Sequence, residues 1–322
     1  MQKSFSEGEA LEKYWYRMLR NFSICDHHSG EGEEMLSQQT MCRRNISGMA
    51  PMKVNKPALW QGIAGVVCAL LLISNMAQAR EWKEVRMATE GGYIPFSETA
   101  PDGSLRGLDI DIGNAICEEM KLKCTWLKTE WEAMIPTLIS NKIDAIVASM
   151  TINEERRARV DFTNKYYSTP LALVAKKGSD IKPDKASLKG KKIGLCRGTI
   201  ADNFATRFLS GQNTELIRYH LQDEADLDLA AGRLDAVFTD YWQAYGGFLS
   251  RPEGKDFAIM GGKVYGSTHE ERKMIGEGVG IAVRKKDQDL KEILNQGIKA
   301  IRANGTYGKI VRKYFSEDIY GQ

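Results

Sequence analysis

Two stretches 91 residues apart share one pattern: KIDAIVAS at 142–149 and RLDAVFTD at 233–240, each a basic residue, an apolar one, Asp-Ala and an apolar run. Each follows an amphipathic segment, 132–141 and 223–232, and stops abruptly at Ser149-Met150-Thr151 or Thr239-Asp240. This order reads as helix, short turn and buried parallel strand, used twice in an α/β chain. In open α/β sheets a ligand sits beyond the carboxyl ends of the strands. Ser149 and Asp240 are therefore candidates to face each other across a cleft, where one small molecule touching both would hold two lobes together.

An export signal stands ahead of these motifs. Met52-Lys53-Val54-Asn55-Lys56 is positively charged, 58–73 carries no charge and is mostly apolar, and Ala77-Gln78-Ala79 offers small residues at the cleavage positions. Residues 52–79 thus read as a signal peptide, with Arg80 as the mature N-terminus. A membrane span would need about 20 apolar residues, more than this run supplies. Val67 before Cys68 does not suit lipidation. Residues 1–51 lie upstream without clear periodicity and are expected to be a disordered extension or the product of a start codon assigned too early, with Met49 or Met52 initiating.

Of the charged residues, 8 of 45 basic and 7 of 42 acidic fall in 1–79, leaving 37 against 35. That balance offers no electrostatic case for nucleic acid. Three cysteines remain, Cys117, Cys124 and Cys196. In an oxidising compartment the first two, at a helix end and a strand start, can form a disulfide whose short loop contributes roughly 2.5 kcal/mol in the chain-entropy model. Cys196 reads as a small buried hydrophobe at a strand end or, alternatively, as a reactive thiol.

The periodicity predicts strands at 85–90, 123–128, 143–148, 171–176, 191–196, 214–219 and 234–238. Helices are expected at 107–120, 131–141, near 200–210, at 223–231, 240–249 and 287–303, and after an Asn304-Gly305 break at 306–315. Residues 151–156 read as a loop. Two crossings between lobes are expected near 167–171 and 274–279. Lobe 1 would comprise 80–168 plus 276–322, and lobe 2 would comprise 169–275.

His220 and His269 are the only histidines after residue 79 and lack ligand spacing, and no phosphate loop is present, so no metal or cofactor is expected. What remains are binding groups. Arg156 follows the first strand end, where its guanidinium could fork onto a carboxylate, or it could join Arg157 and Arg159 on a solvated basic face. Asp240 could accept a ligand ammonium or cap a helix. Ser149 and Thr151 supply hydroxyls, and Thr199 with the following N–H groups offers an anion site. Together these suit a zwitterion.

Residues 80–322 resemble the periplasmic solute-binding proteins, family 3, that feed ABC amino-acid importers, in particular lysine/arginine/ornithine and histidine receptors. The runs that carry the resemblance are GYIPF, GLDIDIGNAICEEM, IPTLISNKIDAIVASMTINEERR, VDFTNKYY, SLKGKKIGLCRGT, AGRLDAVFTD and IRANGTYGKIVRKYF, in order. The resemblance implies a two-lobed periplasmic-binding-protein fold (type II) with two hinge crossings. It implies a monomer in the periplasm that closes on a small amino acid and docks on a membrane permease.

By the same resemblance, Arg156, Thr151 and the Thr199–Ile200 backbone clamp an α-carboxylate, and Asp240 with Ser149 takes the α-ammonium. Tyr93 and Trp131 would flank the ligand side chain, although either could be a half-buried core residue. Glu90 falls where receptors for basic amino acids carry an acid. Cys117 and Cys124 match the family disulfide. Glu90 is one methylene longer than the Asp often found there, Ala148 replaces a serine, and Ala201 and Cys196 make the second wall small. Lost hydroxyls argue against histidine. An acid with two aromatics suits a guanidinium, which puts arginine first, then ornithine and lysine. ATEGGY is similar to opine receptors, with Gly91-Gly92 giving room, and the fold also hosts a cyclohexadienyl dehydratase, for which Glu90 would be the acid. Mass spectrometry of the exported protein should find Arg80 first; an N-terminus upstream of Met49 would refute the start-site expectation.

Overall fold

The structure, a computed structural model, describes residues 81–211 and 213–321, so the extension and the signal peptide lie outside the described residues. Strand β1 (Glu84–Thr89) leads into a small ribbon, β2 (Gly92–Tyr93), β3 (Ser97–Thr99) and β4 (Leu105–Arg106). Then come β5 (Lys123–Lys128), β6 (Ala145–Ile146), β7 (Asp161–Tyr167), β8 (Leu171–Lys176), β9 (Lys192–Cys196), β10 (Glu215–Tyr219), β11 (Ala236–Asp240), β12 (Phe257–Val264) and β13 (Val279–Val283). They build two five-stranded sheets, ordered β5-β1-β6-β13-β7 and β10-β9-β11-β8-β12. The chain passes from the first sheet to the second between Tyr167 and Leu171, and returns between Val264 and Val279.

The repeated motifs occupy the middle of each sheet. β6 pairs parallel with β1, and β11 pairs parallel with β9. On the other side each meets an antiparallel strand, β13 and β8 respectively, so the strands read as parallel are parallel on one edge only. Those antiparallel neighbours are the strands that follow the two crossings, a tertiary event with no local signature.

The aspartate common to both motifs has one job done twice. Asp144 N–H donates to Arg86 O at 2.8 Å while its carboxylate accepts Arg86 N–H at 3.1 Å. Asp235 N–H donates to Lys192 O at 2.9 Å and its carboxylate accepts Lys192 N–H at 2.8 Å. Each aspartate therefore registers the start of the central strand on its parallel neighbour. Asp144 goes further. It is buried and also paired with Arg86 Nε at 2.8 Å and Arg284 Nη2 at 2.8 Å. Burial alone would raise its carboxyl; the hydrogen bonds from Arg86 and Arg284 overcome that and hold it down to about 2.

Helices cover the sheets. The helix Leu108–Glu119 buries Leu108, Ile112 and Ile116, and Cys117 at its end is disulfide-bonded to Cys124. Against it lies Gln288–Ala303, whose Leu290, Leu294, Ile298 and Ile301 form one apolar stripe. Gly297 permits that approach, since a Cβ there would stand 2.6 Å from Ile116 Cγ2. The ribbon β2–β4 and β13 were not read from the sequence, nor were β7, β12 and the helix His269–Ile275. β7 and β12 are edge strands, one interrupted by Thr163-Asn164-Lys165 and the other by a Gly261-Gly262 irregularity. The helix His269–Ile275 has no fully buried residue; the Thr268/Glu271 capping box starts it, and Met274 and Ile275 pack against the core of its lobe.

Asp144→Ala should cost about 1.5–3 kcal/mol, because it removes charge-assisted hydrogen bonds to Arg86 and to the buried Arg284, which keeps Asp287 as a partner, whereas Asp235→Ala at its part-exposed site should cost only about 1 kcal/mol. Denaturant unfolding of the two variants checks this. Acid should act through the same group, the wild-type contribution of Asp144 being present above about pH 4 and fading as pH falls toward 2.

Candidate ligand-binding site

The carboxyl ends of β1, β6, β9 and β11 converge on one cavity of about 420 Å³, its mouth included. Its walls are Glu90, Tyr93, Ser97, Trp131, Ala148, Ser149, Thr151, Arg156, Cys196, Thr199, Ile200 and Asp240. All nine residues singled out from the sequence as ligand contacts are in that set. Glu90 and Ser149 follow β1 and β6 of one sheet, and Cys196 and Asp240 end the equivalent β9 and β11 of the other.

Arg156 separates from its neighbours once folded. Residues 154–159 form a short helix where a loop was expected, because Asn153 caps it by accepting Arg156 N–H at 2.9 Å. That register turns Arg156 inward at 8 % exposure, while Arg157 pairs on the surface with Glu277 at 3.0 Å and Arg159 is exposed. Arg156 Nη1–H donates to Thr151 O at 3.0 Å, and its guanidinium lies 5.1 Å from the centre of the Trp131 ring. Burial pushes the guanidinium down to about 10, with Asp240 and Glu155 opposing through space. Such a group gains from a bidentate carboxylate.

Asp240 occupies the N-cap position of the next helix but makes no capping bond. Its Oδ2 instead accepts the Tyr93 hydroxyl at 2.6 Å, a bond that joins the two lobes. Burial raises the Asp240 carboxyl to about 6, against Tyr93 and Arg156, which lower it. Thr199 is a true cap: it accepts Asp202 N–H at 3.2 Å and donates to Cys196 O at 2.8 Å. Its hydroxyl is thus engaged within the loop. Trp131 Nε1–H donates to Gly198 O at 3.1 Å, a second bond between lobes.

Glu90 is 5 % exposed, and its Oε1 has no hydrogen-bond partner among the described residues. Burial raises its carboxyl to about 7, Lys128 only partly opposing. A buried carboxylate of this kind calls for a cation.

Several expectations change. Gly91 and Gly92 do not open the cavity: a Cβ on Gly91 would meet Thr99 Oγ1 at 2.5 Å, and one on Gly92 would meet Leu221 at 3.1 Å. Ala201 packs in the core of its lobe rather than on the cavity wall. The Cys196 thiol is buried and donates to His220 O at 3.6 Å, and burial raises its pKa well above the usual range, which suits an inert wall. Asp109 was missed. It lies fully buried behind the cavity, accepting Ser149 Oγ–H at 2.9 Å and Tyr166 Oη–H at 2.8 Å. The signal was present, since an acid at 109 shares the face of Ile112 and Ile116, the apolar stripe of its helix.

A cleft between two α/β lobes, lined by opposed charges at strand ends, defines a solute receptor. Residues 85–317 match the bacterial extracellular solute-binding proteins, family 3, and the chain belongs to that family. It is 50 % identical over 239 residues to an L-arginine-binding protein of Pseudomonas aeruginosa, covering 74 % of this chain and 90 % of that one. It is 40 % identical over 237 residues to the lysine/arginine/ornithine-binding periplasmic protein of Escherichia coli, covering 74 % and 89 %. Among solved structures it is similar to an ancestral arginine-binding protein bound to arginine, with TM-score 0.65 and 32 % identity over 73 % of this chain and 99 % of that one.

The raised Glu90 carboxyl has a consequence for stability without ligand. A group whose folded pKa of about 7 exceeds its ordinary 4.5 stabilises the fold fully below 4.5, and that contribution is lost as pH rises through 7. Glu90→Gln should therefore reduce the loss of stability between pH 5 and pH 8 by ~3 kcal/mol at most. Denaturant titrations at both pH values measure it; equal losses in the two proteins would show that Glu90 is not buried against a cost.

Proposed function

We propose that this protein is a periplasmic receptor for a cationic amino acid, arginine first and then ornithine and lysine, which it delivers to a membrane ABC permease. The observation that carries the reading is the Glu90 carboxyl, enclosed in the cavity with an oxygen that no described side chain satisfies. Glu90 and Asp240 against Arg156 leave one negative charge on the wall when all are ionised. A cationic amino acid, with two positive groups and one carboxylate, matches it.

In this reading Arg156, with Thr151 and the Thr199–Ile200 backbone, takes the α-carboxylate. Asp240 and Ser149 take the α-ammonium, and Glu90 takes the distal cation between Tyr93 and Trp131. Ligand binds one lobe and recruits the other, because only the closed cleft offers both Arg156 and Asp240. The names of the arginine- and lysine/arginine/ornithine-binding relatives support the ligand class, and the charge and apolar pattern of 52–79 supports export to the periplasm. The dehydratase reading would use Glu90 as its acid, but Asp240 would repel a substrate that carries only carboxylates.

Calorimetry against arginine, ornithine, lysine, histidine, octopine and prephenate tests the reading, with arginine expected to bind most tightly; turnover of prephenate without amino-acid binding would overturn it. Arg156→Ala should weaken arginine about 1,000-fold or more. Glu90→Gln should weaken arginine about 10- to 100-fold but leave citrulline nearly unchanged. Equal losses for the two ligands would show that Glu90 does not read charge.

A further inference from the structure

Trp242 belongs to one lobe and is buried in the other. It follows β11 of the second sheet by two residues, yet at 4 % exposure it joins the apolar core built on the first sheet, the core that holds Tyr166, Tyr167 and Phe315. The Phe315 ring lies 5.5 Å from it, centre to centre. Trp242 Nε1–H donates to Ser168 O at 3.0 Å, and Tyr241 N–H donates to Pro170 O at 2.8 Å, so both residues are tied to the first crossing. The helical turn that follows lies against the same lobe because it carries two glycines. A Cβ on Gly246 would stand 2.6 Å from Phe315 Cε1, and one on Gly247 would collide with Ile94 O. From β12, Lys263 Nζ lies 4.7 Å from the centre of the Trp242 ring and pairs at 3.6 Å with Glu317 of the first lobe.

A hinge rotation moves points near its axis little and points far from it more, so closure keeps contacts at the axis and breaks those remote from it. Trp242 is bonded to the crossing itself. The other indole bond between lobes, Trp131 Nε1–H to Gly198 O at 3.1 Å, is made by segments remote in sequence from both crossings. Withdrawing a buried indole would return about 150–250 Å² of surface to water, and a packed core does not stretch to follow a moving ring. We propose that Trp242 is the pivot of cleft closure: a side chain of the second lobe socketed in the first, which stays in place while the lobes rotate about it and confines them to one path. That confinement raises the fraction of ligand-free molecules able to shut correctly on a ligand, the fraction by which apparent affinity scales. The proposal rests on the receptor reading above and adds to it the element about which the lobes turn.

Hydrogen exchange of the indole N–H groups, followed by NMR on the ¹⁵N-labelled exported protein with and without arginine, tests it. Trp131→Phe and Trp242→Phe assign the two signals. The Trp242 N–H should be protected in both states and the Trp131 N–H only with arginine. A Trp242 N–H protected only with arginine would make it a latch, one unprotected in both states would leave no socket, and a Trp131 N–H protected equally in both would show no opening away from the pivot. Each of these overturns the proposal. A second measurement separates a pivot from a merely structural tryptophan. By small-angle scattering, ligand-free Trp242→Ala should have a larger radius of gyration than ligand-free wild type, while the arginine-bound proteins agree, and the variant should bind arginine about 10-fold more weakly. Wild-type radius and affinity in a variant that is only less stable would overturn the proposal. Should Trp242→Ala fail to fold by circular dichroism, Trp242→Leu is judged by the same radius and affinity. A wild-type protein that binds no arginine would overturn the receptor reading, an outcome told apart because the ligand-free exchange of the two indoles is measured without it.

Discussion

Charges buried with incomplete partners govern this molecule. Arg156 is held against Thr151 and Trp131, Asp240 against Tyr93, and Glu90 against nothing among the described residues that satisfies its Oε1. Removing an ionised group from water without a partner costs several kcal/mol, and the raised carboxyls and lowered guanidinium register that cost. A fold tolerates such an arrangement when a ligand of opposite polarity is part of its working cycle. The same burial that strains the protein alone makes each contact with a charged ligand stronger.

The rest of the architecture serves to bring these groups together. The aspartate of each repeated motif locks the central strand to its parallel neighbour, which fixes where β6 and β11 end and hence where Ser149 and Asp240 stand. Asp144 carries an additional buried pair with Arg284, so the first lobe is pinned more firmly than the second, where the ion-pair partner of Asp235 is the part-exposed Lys191 at 3.7 Å. Hydrogen bonds from Tyr93 to Asp240, Trp131 to Gly198 and Trp242 to Ser168 bridge the lobes, with the ion pairs Lys273–Glu154, Lys263–Glu317 and Arg197–Glu132 beside them. Each contributes only about 1 kcal/mol or less net.

Sequence periodicity located most strands and helices with strong apolar patterns, missed the fully buried β13 in its glycine-rich surroundings, and failed where pattern was weak. The helix His269–Ile275 has no fully buried residue, and the edge strands β7 and β12 are broken by polar or glycine pairs. The resemblance carried by ordered runs such as AGRLDAVFTD brought Glu90, Tyr93 and Trp131 into consideration. Spacing alone would have left them as core or surface residues. Their meeting in one cavity is a product of folding, since Tyr93 and Asp240 are 147 residues apart.

What the chain determined by itself was the duplication, the α/β class and the residue types at the strand ends, because apolar runs of period two and 3.6 have few ways to bury themselves. Tertiary structure alone decided which of three neighbouring arginines turned inward, whether Asp240 capped a helix or met a tyrosine, and that Asp109 stood behind Ser149. Those outcomes depend on burial and on the direction of individual hydrogen bonds, quantities that exist only when segments distant in sequence have excluded water from one another.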